Sequence, residues 1–148
     1  MRRRNLLWRA PFWLVSRQQG QDQLQQAPLI SIIDDDESVR VATACLLRSL
    51  GYRAHTFASA DELLESPHVG EAACLIVDVQ MPKTSGIELQ RMLRAKGIAT
   101  PIIFITAFPE ERIRAKALDD VSSCMLSKPF DSRGLIECLA TALGKTGA

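Results

Sequence analysis

The stretch AACLIVDVQMP, residues 72–82, decides the fold. Six small or apolar residues lead to the carboxylate of Asp78, and Pro82 follows four residues later. A short apolar run without polar alternation is typical of a strand that is buried on both faces of a parallel sheet. An acid at the end of such a strand lies at the carboxyl edge of the sheet, where open α/β sheets place their ligand sites. Asp78 is therefore the first candidate functional residue.

The segments around this stretch alternate between strand-like and helix-like patterns. Strands are predicted at 29–33, 52–57, 72–78, 101–106 and 123–127. Helices are predicted at 37–50, 59–66, 85–96, 110–118 and 131–143, from apolar periodicity and from capping residues. Five β–α units with short connections predict an α/β fold, a doubly wound five-stranded parallel sheet of order 2-1-3-4-5 with helices on both faces.

Polar side chains end four of the five predicted strands. Asp34 and Asp35 follow the first strand, Asp78 ends the third, Thr106 ends the fourth and Lys128 follows the fifth. Because these four strands are neighbours in the order 2-1-3-4-5, we expect the five side chains to converge at one edge of the sheet.

The converging carboxylates predict a magnesium site. Three carboxylates in one crevice repel each other unless a cation lies among them. Mg²⁺ prefers oxygen ligands, and it is commonly held by one or two carboxylates, water and a phosphate. We expect Asp34, Asp35 and Asp78 to bind Mg²⁺, with the backbone carbonyl of Gln80 as a further ligand. Since a carboxylate can form an aspartyl phosphate, the predicted chemistry is phosphoryl transfer to Asp78.

The sequence resembles the receiver domain of two-component response regulators, and in particular its FixJ-type branch. The matching stretches are IDDDESVR at 33–40, DVQMP at 78–82 with Ser85-Gly86, ITA at 105–107 and KPF at 128–130. Each motif alone is common, but the full set in this order, each at the end of a predicted strand, is specific. The resemblance covers about residues 29–143 and implies a flavodoxin-like receiver fold.

The resemblance also implies a role for each site residue. Asp78 would accept a phosphoryl group from the phosphohistidine of a sensor histidine kinase or of a phosphotransfer protein. Asp34 and Asp35 would hold Mg²⁺ with Asp78. Thr106 would be the switch hydroxyl, and Lys128 would contact Asp78 and later the phosphoryl group. The protein would then be a stand-alone, single-domain phosphoacceptor regulator rather than an enzyme, with self-catalysed phosphotransfer and dephosphorylation as its only chemistry.

The resemblance further implies a cis peptide bond between Lys128 and Pro129. It places a downstream protein partner on the face formed by the predicted helix 110–118, the fifth strand and the last helix. Two features depart from the family pattern. Met125 stands where family members usually carry an aromatic residue that moves with the switch threonine, and Val121-Ser122 stands where a Gly-Ala pair is common.

Two alternative functions stay open at this point. A receiver-like binding scaffold that is silent to phosphorylation is favoured by Met125, although Asp78, Thr106 and Lys128 are all present. A phosphatase with an aspartate nucleophile is disfavoured, because such sites carry a second acid two residues after the nucleophile and Gln80 stands there.

Charge is spread unevenly along the chain. Residues 1–27 hold five arginines and one aspartate, which leaves 13 basic and 16 acidic side chains in residues 28–148. We expect residues 1–27 to be a disordered basic and Gln-rich extension, or an artefact of an upstream start codon, and residues 28–148 to be the receiver domain. The acidic balance disfavours direct DNA binding, and no DNA-binding segment is expected after the last helix. No apolar run approaches the ~20 residues of a membrane span, so we expect a cytoplasmic protein without membrane insertion.

The four cysteines, Cys45, Cys74, Cys124 and Cys138, all lie in apolar surroundings and form no C-x-x-C pair. We expect buried, reduced thiols rather than disulfides or zinc ligands.

Overall fold

A computed structural model of the chain describes residues 27–108 and 123–144. The strands are β1 (Leu29–Ile33), β2 (Arg53–Phe57), β3 (Cys74–Asp78), β4 (Ile102–Thr106) and β5 (Ser123–Ser127). The helices are α1 (Glu37–Ser49), α2 (Ala60–Glu65), α3 (Gly86–Ala95) and α4 (Ser132–Ala142). The predicted helix 110–118, the pair Val121-Ser122 and the N-terminal segment 1–26 lie outside the described residues.

The five strands form one parallel sheet in the order β2-β1-β3-β4-β5, as predicted. The fold is therefore the doubly wound α/β fold expected from the alternating pattern. In this order the chain reverses its direction of travel across the sheet between β1 and β3, which is where such folds place their ligand sites. β1, β3 and β4 are buried along their whole length, which explains why they are apolar without alternation.

Each face of the sheet covers its own hydrophobic cluster. On one face Ile30, Ile32 and Ile76 pack with residues of α1 and α4, including Leu47 and Leu139. The other face packs against α2 and α3, through the residues Ile33, Leu63, Leu75, Val77, Leu89, Leu93 and Phe104. Helices on both faces bury the central strands and leave the carboxyl ends of those strands to carry polar groups.

Three strands begin later than the pattern predicts, β3 by two residues and β2 and β4 by one, and the delays of β2 and β4 have a backbone reason. The N–H of Tyr52 donates to the carbonyl of Leu47 in α1, so the residue still belongs to the end of that helix and β2 starts at Arg53. Pro101 lacks an N–H, and its carbonyl accepts from Leu75 before β4 starts at Ile102.

The expectation of four buried, reduced thiols is wrong for the pair Cys124 and Cys138, which is oxidised, and for Cys45, which is exposed. Cys124 in β5 and Cys138 in α4 form a disulfide, with their Cα atoms 6.0 Å apart. Cys74 is a buried free thiol, whereas Cys45 is a free thiol on the exposed side of α1. The fold brings Cys124 and Cys138 together because α4 packs back against the strand that precedes it.

Within the described residues, no helix combines the length and the apolar content that a membrane crossing requires.

Candidate functional site

Asp78 is the last residue of β3 and lies at the centre of the site. Its side chain is buried, with 6% of the residue exposed, because β1 and β4 flank it on both sides. Carboxylate oxygen Oδ1 accepts a hydrogen bond of 3.2 Å from the N–H of Gln80. The chain beyond it is held as well, since the N–H of Val79 donates to the carbonyl of Ile105 over 2.9 Å. Asp78 is thus fixed by the sheet and by the turn after it.

Asp34 and Asp35 lie where β1 gives way to α1. Asp34 is 2% exposed, and its Oδ1 accepts the N–H of Asp36 at 2.9 Å. Its backbone carbonyl accepts a bond of 2.7 Å from Nη1 of Arg40. Asp36 is the N-cap of α1, and a hydrogen bond from the Ser38 hydroxyl lowers the pKa of this capping carboxyl. Asp35 is exposed to solvent.

The three carboxylates meet as the sequence predicts. Asp34, Asp35 and Asp78 each offer a carboxylate oxygen, and these oxygens lie within 4.8 Å of one another. Hard oxygen donors at this spacing, two of them buried, suit Mg²⁺ in the kind of site where carboxylates, water and a phosphate share the ion. For Gln80 the structure gives only its N–H contact with Asp78, so a role for its carbonyl as a ligand stays a prediction.

Lys128 brings a positive charge to the same crevice. Its Nζ lies 3.2 Å from Oδ2 of Asp34 and 3.5 Å from Oδ2 of Asp78. Its backbone N–H donates to the carbonyl of Thr106 over 2.8 Å, which positions the lysine beyond the end of β5. The following peptide bond to Pro129 is cis, as the resemblance implied.

Thr106 is fully buried at the end of β4. Its Oγ1 accepts a hydrogen bond of 3.0 Å from the N–H of Phe108. That bond uses a lone pair of the oxygen and leaves the hydroxyl hydrogen to be donated elsewhere. Because β4 lies directly beside β3, the hydroxyl stands at the same sheet edge as Asp78.

The electrostatics of the crevice hold the pKa of Asp78 above the ordinary value for a carboxyl group. Burial and the neighbouring charge of Asp34 raise the pKa of Asp78 to about 6, although Lys128 and the N–H of Gln80 act in the opposite direction. Burial alone would lower the pKa of Lys128, but the carboxylates of Asp78 and Asp34 outweigh burial and raise it. The lysine therefore stays positively charged. Its one ammonium group is shared between the carboxylates of Asp34 and Asp78.

Gly86 is a structural part of the site whose contact the sequence did not reveal. The sequence marks it only as part of the matching Ser85-Gly86 pair. A Cβ atom at this position would lie 2.6 Å from the backbone carbonyl oxygen of Asp78 and 3.0 Å from Cγ1 of Val77. The absence of a side chain lets α3 begin directly against the end of β3. Arg40, quoted only as part of a motif, likewise proves to brace the Asp34 backbone.

Comparison with known proteins identifies the family. The family model described as response regulator receiver domain matches residues 30–140. The chain belongs to this family. It is thus a receiver domain of two-component systems, a class of signalling protein rather than of classical enzymes. Receiver domains generally bind Mg²⁺ at an acidic pocket, and the aspartate cluster of this receiver domain could hold such an ion.

Individual relatives agree with this assignment. The response regulator protein TmoT of Ectopseudomonas mendocina is 39% identical over 120 residues, which are 80% of this chain and 54% of the relative. The transcriptional regulatory protein FixJ of Azorhizobium caulinodans is 32% identical, over 79% of this chain and 56% of its own length. The receiver domain chain therefore spans about half the length of the curated relatives that it matches.

Solved structures show the same fold. The crystal structure of a response regulator receiver protein from Burkholderia phymatum is 41% identical to this receiver domain and superposes with a TM-score of 0.68. The match covers 79% of this chain and 95% of that protein.

Proposed function

We propose that this receiver domain accepts a phosphoryl group on Asp78, with Mg²⁺ held by Asp34, Asp35 and Asp78. The observation that carries the proposal is the convergence of three carboxylates, one ammonium group and one buried hydroxyl at the carboxyl ends of four neighbouring strands. The donor would be the phosphohistidine of a sensor histidine kinase or of a phosphotransfer protein.

In the proposed reaction a carboxylate oxygen of Asp78 attacks phosphorus. The new O–P bond forms as the P–N bond to the donor imidazole breaks, and the electron pair of that bond stays on the imidazole nitrogen, which takes up a proton. Mg²⁺ would supply charge neutralisation for the phosphoryl oxygens. Lys128 would add a second positive charge, because its Nζ already lies 3.5 Å from Asp78. Positioning and charge are most of what phosphoryl transfer requires of a protein.

Thr106 would form a hydrogen bond with the new phosphoryl group. Its hydroxyl hydrogen can donate to a phosphoryl oxygen, and phosphorylation supplies strong acceptors that a bare carboxylate lacks. Met125 would then fill the space that an aromatic residue fills in most relatives. It is half-buried in β5 opposite Phe104 of β4, and it packs against the hydrophobic cluster on the α2 and α3 face.

An apolar groove beside the site would receive the phosphodonor. It has a volume of about 660 Å³ and is lined on one side by Val39, Ala42 and Leu46 of α1 and on the other by Phe130. Lys128 lies at the same groove, so a donor that occupies it would have its phosphohistidine near Asp78.

We further propose that output passes through protein contacts rather than DNA. The contacts would use the predicted helix 110–118, β5 and the exposed side of α4, where Ile136 is 44% exposed. In this proposal residues 28–148 act as a receiver domain in the cytoplasm, with residues 1–27 as an extension.

Labelling with a small phosphodonor tests the chemistry. Acetyl phosphate and Mg²⁺ should give an acid-stable, hydroxylamine-labile adduct on the purified protein, which intact mass reads as one added phosphoryl group. Asp78→Asn should abolish the adduct. The matched control Asp61→Asn, at an exposed position of α2, should label like the parent protein. Equal labelling of Asp78→Asn would refute the proposed acceptor. A folded parent protein that takes up no label would favour the phosphorylation-silent scaffold.

A further inference from the structure

The disulfide between Cys124 and Cys138 encloses the segment that carries Lys128. The two cysteines are 14 positions apart, and the lysine lies between them. Their Cα separation of 6.0 Å falls within the range in which a disulfide forms without backbone movement. The bond thus closes a covalent ring that runs from β5 through the lysine loop into α4.

Lys128 is attached to the site at two points within this ring. Its backbone N–H is bonded to Thr106 of β4, and its Nζ contacts Asp34 and Asp78. Behind it, Asp131 caps α4 by accepting the N–H of Gly134 at 2.8 Å. Every element that places the ammonium group is therefore either inside the ring or bonded to it.

The two cysteine residues differ in their exposure to solvent. Cys138 is 5% exposed and belongs to the hydrophobic cluster on the α1 and α4 face. Cys124 is only half-buried and packs against the edge of that cluster. A thiol from solution can therefore approach Cys124, while Cys138 leaves into an apolar environment that also suits a reduced thiol.

We propose that Cys124 and Cys138 are a reversible redox modification site that controls how firmly Lys128 is held beside Asp78. Reduction takes two low-molecular-mass thiols of the glutathione type. The first thiolate attacks Sγ of Cys124, the protein S–S bond breaks and Cys138 leaves as a thiolate that gains a proton. The second thiol releases Cys124 and forms the small-molecule disulfide. Oxidation by that disulfide is the reverse sequence. The coupling to Lys128 rests on the proposed phosphoryl transfer.

Mass and thermal unfolding test the modification itself. The digest fragments that contain Cys124 and Cys138 should together be about 2 Da lighter after the protein is treated with a glutathione-type disulfide than after dithiothreitol, because bond formation removes two hydrogens. The oxidised form should unfold about 10 °C higher, since the bond closes a loop of about 15 residues. The mass and thermal differences should both vanish in Cys124→Ala and persist in Cys45→Ala, whose thiol is exposed and free. A protein that shows no mass difference, or no thermal difference, between the two treatments overturns the proposal.

Labelling of the parent protein in both redox states tests the coupling and needs no variant to fold. The oxidised form should be labelled by acetyl phosphate at least about twofold faster, because the closed ring keeps Lys128 positioned for the phosphoryl group. Cys124→Ala should be labelled at the slower rate under both conditions. Equal rates in the two states of the parent overturn the coupling. If neither state is labelled, both the coupling and the proposed function are refuted. The mass and thermal unfolding measurements still test the redox modification in that case.

Discussion

Asp78 has to carry a negative charge where burial and a second carboxylate both oppose it. Its residue is 6% exposed, and these two influences raise its pKa to about 6. The ammonium group of Lys128, at 3.5 Å, offsets only part of this effect. An ionised carboxylate in this position destabilises the fold. A bound cation or a phosphoryl group on the carboxylate would remove part of that unfavourable electrostatic energy.

The pKa of Asp78 predicts how stability depends on pH in buffer without Mg²⁺. The folded-state pKa of about 6 lies above the ordinary 3.8, so between these values the folded protein binds more protons than the unfolded chain. The contribution of this carboxyl to stability is therefore lost as the pH rises from about 4 to above 6. Relative to the parent, Asp78→Asn should gain roughly 2 kcal/mol of unfolding free energy between pH 4 and pH 7.

Urea unfolding of both proteins at a series of pH values measures this difference. Subtracting the unfolding free energy of the parent from that of the variant at each pH cancels the contributions of titrating groups elsewhere in the protein. A difference that stays constant from pH 4 to pH 7 would show that Asp78 is not perturbed as described.

At the scale of elements, the junction between β3 and α3 is the tightest contact of the site. Gly86 is the first residue of α3, and Ser85 and Glu88 complete a capping box around it. The helix begins here because the capping box satisfies its first N–H groups and because Gly86 leaves room for the Asp78 carbonyl.

Gly86→Ala should destabilise the protein by about 1–3 kcal/mol, because the added methyl group would lie 2.6 Å from that carbonyl oxygen and one of the two must move. Gly70→Ala is the matched control. A Cβ atom at Gly70 would meet nothing within 4 Å, and its effect should stay within about 0.5 kcal/mol. Urea unfolding compares the two. Equal effects would mean that α3 can move away from β3 without cost.

Local sequence signals were sufficient to predict most of these elements. Asp36, Ser59, Ser85 and Asp131 all cap helices in the structure, since a short polar side chain before a periodic segment acts within three residues of itself. The buried strands were equally clear, because a strand covered on both faces has no polar alternation. Asp34, Asp35, Asp78 and Thr106 could be predicted for the same reason, since they lie at the ends of such strands, whereas Lys128 follows the less buried β5.

Contacts between elements that are distant in the sequence could not be predicted in this way. The approach of Gly86 to Asp78 depends on where α3 packs, and nothing in the residues near Gly86 specifies it. The Cys124–Cys138 bond depends on how α4 returns to β5, so two cysteines in separate apolar runs looked like ordinary core thiols. β2 begins one residue later than predicted because the N–H of Tyr52 donates to a carbonyl of α1. The sequence pattern alone does not show whether Tyr52 belongs to the helix end or to the strand.

At the scale of the whole molecule, Mg²⁺ should act as a stabilising ligand. An ion bound among Asp34, Asp35 and Asp78 in the folded protein relieves repulsion that the unfolded chain does not have. At a Mg²⁺ concentration a hundred times its Kd, the gain is about 2.7 kcal/mol, which should raise the thermal midpoint by several degrees.

Thermal unfolding with and without MgCl₂ measures this gain. Asp34→Asn should lose most of it, and Glu137→Gln, at an exposed position of α4, should keep it. A similar rise in all three proteins would point to a general salt effect rather than to a site.

The burial of β1, β3 and β4 along their whole length has a consequence for how such a protein can diversify. The reactive groups are anchored to the most protected strands, while the outer sides of the helices face solvent and take little part in holding those groups. Under the proposed function, exposed residues such as Val41 and Ile136 are therefore expected to vary with the binding partner while the residues around Asp78 stay unchanged. The site therefore lies on the buried strands, and the surface available for partner binding lies on the helices.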